Sequence, residues 1–292
     1  MESNNFKLEI LKSKLSHLKR KAWKPIVQEG DGAIAASKFA GKPWLNEGEE
    51  YPTCPNCSKS MQLFLQLNLD ELPQNLKSRF GSGILQFFYC TNVSEIEQET
   101  GLYGRTVEEC ETIIKNLPEN IVQGWWKFVD WEGDIGKIRL KKITSCETEC
   151  NGWDAFSRCQ FIRIVQPTDV SATFEIPKIE GLFEPKLIIG WSEVDDYPSL
   201  DELDTLEVIL DKDEEDILID ELYLYSDKLA GWANWVQFPE YPNCPTCNQS
   251  MNQFVFQLAS EDNIPYAWGD YGEGYIVQCP EHKEQVAFLW QC

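Results

Sequence analysis

Apolar residues in this chain gather in short runs. The segments 61–69 (MQLFLQLNL), 83–89 (GILQFFY), 161–167 (FIRIVQP), 187–191 (LIIGW), 252–258 (NQFVFQL) and 275–278 (YIVQ) are β-branched or aromatic and are separated by Gly, Pro and Asn. That pattern predicts strands. MQLFLQL and MNQFVFQL alternate only in part, as expected of strands covered on both faces. Helical spacing is rarer. Leu8, Leu11, Leu15, Leu18 and Ala22 fall on one face, predicting a basic amphipathic helix over residues 1–25 that Pro25 stops. Val107, Cys110, Ile113, Ile114 and Leu117 predict a second helix after Thr106, and the capping box Ser199–Glu202 opens a third. The expected fold is α+β, mostly antiparallel β.

The strand-rich text repeats itself. Lys38-Phe-Ala-Gly41-Lys-Pro-Trp44, then Glu50-Tyr-Pro-Thr-Cys54-Pro-Asn-Cys57 and Met61, returns as Lys228-Leu-Ala-Gly231-Trp-Ala-Asn-Trp235, then Glu240-Tyr-Pro-Asn-Cys244-Pro-Thr-Cys247 and Met251. A glycine and a strand close each copy, Gly83 with ILQFFYC and Gly274 with YIVQC. So many matches in one order predict an internal duplication of two β-rich halves. The corresponding division is a helix at 1–25, a first half at 26–145, a central insert at 146–222 and a second half at 223–292.

Charge narrows the partners. Among 292 residues, 48 acids face 26 Lys and Arg, a formal net charge of −22. Such an excess argues against general nucleic-acid binding, which needs clustered cations, and favours a basic partner. Residues 193–221 hold 14 acids and one lysine, Lys212, with Leu, Ile and Val interleaved, so a folded acidic segment is expected, with the basic helix docked on an acidic body. No apolar run approaches 18 residues, which predicts no membrane span. The N-terminus lacks a signal-peptide core, and a cytoplasmic location is the expectation.

Cysteine spacing carries the clearest chemistry. With 11 cysteines and only two histidines, His17 and His282, a His-centred triad is close to excluded, and metal ligation or burial outranks disulfides. Two ligands on one CxxC turn can share a tetrahedral metal. Cys244 and Cys247 pair with Cys279-Pro-Glu-His282 as a Cys₃His set for structural Zn²⁺, with Cys292 an alternative fourth ligand. Cys54, Cys57 and Cys90 are the first-half counterparts, and their fourth ligand is open among Cys110, Cys146, Cys150 and Cys159. A structural zinc would add on the order of 10 kcal/mol or more to folding. Thiol-redox chemistry is disfavoured, because each knuckle leads into a strand and not a helix N-terminus. Outside the cysteines, Asp270 in the Gly-rich turn Trp268–Gly274 is the most distinctive carboxylate, and a turn-capping role is preferred to ligand contact. Trp125, Trp126, Trp131, Trp232 and Trp235 line a groove or build the core.

The motifs Ala-Gly41-Lys-Pro-Trp, Tyr-Pro-x-Cys54-x-x-Cys57-x-x-x-Met61, Phe64-Leu-Gln66-Leu, Gly83-Ile-Leu-Gln-Phe-Phe-Tyr, Trp268-Gly-Asp270 and Gly274-Tyr resemble those of the YwqG-like family of bacterial proteins of unknown function. That family is similar in turn to the programmed cell death protein 2 group, whose members carry CxxC elements and act as zinc-associated chaperones. The resemblance implies a non-catalytic, protein-binding role of chaperone-like or immunity-like kind, and no catalytic residues. The central insert and the leading basic helix depart from the family pattern, so partner identity does not carry over. The expected function is an intracellular interaction scaffold for a basic protein. The alternative is an enzyme, of thiol-redox or nucleic-acid-processing type, using a knuckle cysteine or Asp270.

Overall fold

The computed structural model describes residues 2–99, 105–119, 125–132, 135–168 and 170–292. The chain forms two compact units, residues 1–90 with 151–292, and residues 91–150. In the larger unit the strands among the described residues are β1 (Arg20–Glu29), β2 (Lys38–Phe39), β3 (Gln62–Asn68), β4 (Ile84–Tyr89), β8 (Gln160–Val165), β9 (Lys186–Asp196), β10 (Lys228–Leu229), β11 (Gln253–Ala259), β12 (Glu273–Gln278) and β13 (Val286–Gln291). They form one antiparallel sheet in the order β13-β12-β11-β10-β1-β9-β2-β3-β4-β8. The two edge strands come back toward one another, so the sheet is nearly a barrel. Aromatic side chains fill the closure: Phe87 stacks on Phe288 at 4.1 Å, and the Trp290 indole donates to the Tyr89 hydroxyl at 3.0 Å. Strands β3, β4, β12 and β13 are buried on almost every residue. A near-closed sheet covers both faces, which is why the predicted alternation is incomplete.

The N-terminal helix is shorter than its leucine spacing predicts. Helix α1 runs Glu2–Lys14, and Arg20–Glu29 is a strand between β10 and β9, so Pro25 lies inside β1 and does not end a helix. Ten consecutive residues of β1 pair with β9, with a register shift between Ile26 and Val27, one residue beyond Pro25. Irregular pairing of this kind is where a sheet accepts a residue lacking an N–H. Leu11 and Leu15 are fully buried with Tyr197, Leu203, Leu218 and Leu222, while Lys7 and Lys14 reach Asp213 and Glu214 at 2.6 and 2.5 Å. The basic helix therefore docks on the acidic segment, which is folded over Leu200–Thr205 and Lys212–Ile217. Burial of the leucines carries this contact, since exposed ion pairs contribute at most about 1 kcal/mol each.

The smaller unit is a three-stranded antiparallel sheet of β5 (Val93–Glu99), β7 (Ile135–Ser145) and β6 (Trp126–Glu132), in that order. Helix α2 (Val107–Asn116) carries a Thr106–Glu109 capping box, and Cys110 on its apolar face is buried. Both units together make a mostly antiparallel β protein with short helices.

Candidate metal centres

The knuckles are built by backbone hydrogen bonds that the two copies share. Cys244 N–H donates to the Gln249 carbonyl at 2.8 Å, Asn248 N–H to Cys244 at 2.8 Å and Met251 N–H to Pro242 at 2.9 Å. The first copy repeats them with Cys54 to Lys59, Ser58 to Cys54 and Met61 to Pro52, at 2.8, 2.8 and 3.0 Å. Ser58 and Asn248 take the same left-handed conformation, φ 58° and 59°, which turns the chain back toward the strand. The second arm of the later knuckle is the turn between β12 and β13. Cys279 N–H donates to Gln285 at 3.0 Å, Gln285 N–H to His282 at 2.9 Å and His282 N–H to the Cys279 sulfur at 3.3 Å.

These turns bring the ligand atoms of Cys244, Cys247, Cys279 and His282 within 4.8 Å of one another. Cys247 Sγ lies 3.7 Å from Cys279 Sγ, and Cys279 Sγ lies 3.8 Å from His282 Nδ1. Four donors at about 2.3 Å from a tetrahedral ion stand about 3.8 Å apart, so the donor set and its spacing fit Zn²⁺. Burial works to raise the Cys244 thiol, but the backbone N–H groups of Cys247 and Thr246, with the neighbouring Cys279 and Cys247 thiols, bring it down to about 7. Thiolate is the form that binds metal. The exposed Cys292 stands outside this cluster.

In the first half Cys54, Cys57 and Cys90 gather in the same way, within 4.8 Å, with Cys57 and Cys90 sulfurs 3.6 Å apart. No histidine follows Cys90, because the chain leaves there for residues 91–150 and returns before β8, where the second half has only the His282 turn. Cys90 N–H instead donates to the Cys159 carbonyl at 2.9 Å. Among the other first-half candidates, the Cys159 sulfur lies 3.3 Å from the Ser157 hydroxyl. In the smaller unit Cys110 donates to the Gly136 carbonyl at 3.3 Å, and the Cys146 and Cys150 sulfurs are 4.0 Å apart. Two cysteine-rich clusters could thus hold a metal ion.

The other candidate residues do not converge on a site. Asp270 is exposed on its turn, between Gly269 at φ 57° and Tyr271 at φ 61°. Trp232 and Trp235 are buried and hydrogen-bonded to the Leu18 carbonyl and Glu202, whereas Trp126 is exposed in the smaller unit. Trp125 is half-buried there, and the Trp131 side chain lies outside the described residues.

Sequence reading missed a second repeated feature, a pair of buried lysines. Lys228 Nζ meets both Asp196 oxygens at 3.1 Å, and Trp232 N–H donates to the same carboxylate at 2.7 Å. Lys38 Nζ meets Asp31 at 2.5 Å, and Lys42 N–H donates to it at 2.9 Å. Beside them Gln66 and Gln257 each accept from one backbone N–H, of Trp44 and Asn234, and donate to two carbonyls. The usable signal was the Lys-x-Ala-Gly repeat. Its glycines are needed, because Gly231 has φ 85° and a Cβ there would sit 2.1 Å from Asp196 Oδ2; at Gly41 the figures are 79° and 2.6 Å from Asp31. Gly231→Ala is expected to cost about 3 kcal/mol or more, by straining the backbone and dislodging a buried carboxylate from its lysine. Urea denaturation checks this, and a loss under about 1 kcal/mol would show that the carboxylate is not held against the turn.

A nearly closed antiparallel β unit carrying cysteine-rich clusters able to hold a metal defines the class of protein. Residues 37–292 match the model of the domain of unknown function DUF1963, and the chain belongs to that family. No curated protein matches it.

Proposed function

We propose that the chain is a non-catalytic scaffold, stabilised by zinc, that binds a basic segment of a protein partner. The observation that carries this reading is a groove of about 850 Å³ in the larger unit, lined by four carboxylates, of Glu29, Glu184, Glu261 and Asp262, against one cation, Lys186, with Leu182 and Pro265 beside them. Carboxylates set around apolar surface suit the ammonium or guanidinium head and the methylene stem of lysine and arginine. Zinc is the ion that best suits the Cys₃His donor set, and its place is structural, since four protein ligands leave no open position for chemistry. The YwqG-like resemblance supports the same reading, and the shared hydrogen bonds of the two knuckles and the two Lys–Asp pairs support an origin by duplication. No helix among the described residues is long and apolar enough to cross a membrane.

The double variant Glu184→Lys/Glu261→Lys tests the groove. Proteins of basic character recovered on the wild-type chain at physiological salt are expected to fall at least ten-fold on the variant, with metal content unchanged. Equal recovery on both, or none on the wild type, would end the proposal.

A further inference from the structure

On the larger unit, a pocket of about 540 Å³ is cationic although the whole chain is strongly acidic. Arg20, Lys21 and Arg79 line it together with the amides of Asn75, Asn252 and Gln253. Lys21 is taken up by Glu193 and Asp195 at 3.0 and 2.8 Å. The two arginines are not: among the described residues neither has a carboxylate within ion-pair distance. Arg20 makes one long contact, 3.4 Å, to the Gly231 carbonyl, and its guanidinium lies 3.2 Å over the Trp232 ring. Arg79 rests 5.3 Å over Phe80, and none of its guanidinium N–H groups has an acceptor among the described residues.

A guanidinium has five N–H donors in a planar fork, and an aromatic face beneath it holds the plane while leaving the fork free. Two such forks on one pocket also repel one another. Both arginines are exposed; partial desolvation, and for Arg20 the nearness of Arg79, pulls their pKa values down, with Tyr241, Glu202 and Asp196 pulling Arg20 the other way. A chain with 48 acids had ample means to neutralise these cations and leaves them open. Lys283 stands close by, with Nζ on Gln253 Oε1 at 2.7 Å, and adds to the same field. Of the nearer acids, Glu193 and Asp195 are held by Lys21, Asp196 by Lys228, and Glu202 accepts from Trp235 and Tyr241, while Glu281 stands by Lys283; the acids farther off are screened beyond about 8 Å at physiological salt.

We infer that Arg20 and Arg79 form a binding site for the oxyanion of a small molecule, a phosphate or carboxylate group held by both guanidinium forks. The volume is in the range of small-ligand pockets and exceeds what one phosphate fills, so the natural ligand carries more than the anionic group. The site is separate from the acid-lined groove, and its wall at Pro280 adjoins the Cys279–His282 turn.

Titration calorimetry of the full chain at low salt, with inorganic phosphate in one series and malonate in another, tests the site and separates the two chemistries. One site of millimolar affinity or better is expected for at least one anion, weakened ten-fold or more by Arg79→Gln and partly restored by Arg79→Lys. Arg79 is the decisive position because among the described residues its guanidinium makes no hydrogen bond or ion pair and only the 5.3 Å contact to Phe80, whereas Arg20→Gln also removes the closer packing on Trp232. No saturable binding of either anion, or binding unchanged in Arg79→Gln with the circular dichroism of the wild type, would overturn the inference.

Discussion

Cys279→Ser is expected to strip one equivalent of zinc from the chain and to lower its stability by several kcal/mol. Cys279 is fully buried, and its sulfur stands between Cys247 and the His282 ring, at 3.7 and 3.8 Å. It therefore joins the two arms of the centre, and three ligands no longer close it. Structural zinc contributes about 10–16 kcal/mol of apparent binding free energy in small domains that are unfolded without it. Here a large sheet folds around the site, so only part of that is lost. The effect should concentrate on the β12–β13 turn and the 242–251 knuckle, which then keep their backbone hydrogen bonds and the packing of Cys244 and Met251 against Trp235 and Phe254. Metal analysis per chain, with urea denaturation in the presence and absence of a chelator, separates metal loss from the simple cost of a hydroxyl in a thiol's place. Wild type should fall toward the variant on chelation, and chelator should add little to the variant at this centre. Cys292→Ser, at an exposed thiol outside the cluster, should leave both readouts alone, and His282→Cys should retain metal. Wild-type protein with no zinc, or with zinc undiminished by Cys279→Ser, would sink the assignment.

The candidate centre was legible because its four donors lie on two turns whose spacing is visible in the chain: CxxC, then CxxH 31 residues on. The six predicted strand runs were legible for a related reason, since each is short, β-branched or aromatic, and bounded by turn residues. Residues 15–25 were not. Their leucines continue a helical stripe, but Arg20–Glu29 has a better alternative in a ten-residue ladder with β9, Arg20 opposite Asp196 and Glu29 opposite Lys186, far along the chain. Local periodicity carries no information about so distant a partner. The buried lysines were hidden in the same way: Asp31 precedes Lys38 by seven residues, whereas Asp196 precedes Lys228 by 32. The repeat conserves the cation and the glycine, and each half recruits its carboxylate from a different stretch. The tryptophans were ambiguous in sequence because an indole packs a core and an interface equally well, and only burial separates Trp235 from Trp126.

Glu273 sets the other large expectation, a stability that falls as pH rises. Its side chain is buried at the start of β12, a register position that Ile84 occupies in the first half. One oxygen accepts from Asn234 at 3.3 Å and the other has no partner among the described residues. Burial pushes its pKa up to about 8; Lys228 and Asn234 pull it down, while Asp227 and Asp196 push it further up. Tyr225 and Tyr275 also interact with the carboxylate, and burial and then its charge raise both, and Asp227, buried beside Asp262, is itself pushed up to about 7. In the unfolded chain a glutamate ionises near 4.3. The folded state thus holds the proton where the unfolded state has released it. The stability this contributes is complete below about pH 4 and is lost progressively up to about pH 8, at about 1.4 kcal/mol per pH unit, with a ceiling near 5 kcal/mol. Glu273→Gln removes the titration and keeps the shape. Between pH 6 and 8 the wild type should lose about 2–3 kcal/mol relative to the variant, and any change at the cysteine cluster over that range is common to both proteins and cancels in the comparison. The slope is diagnostic, because a buried amide lacking an acceptor adds a cost that does not vary with pH. Parallel pH profiles for the two proteins would show that Glu273 is already ionised at neutral pH and that Lys228 serves two carboxylates instead of one.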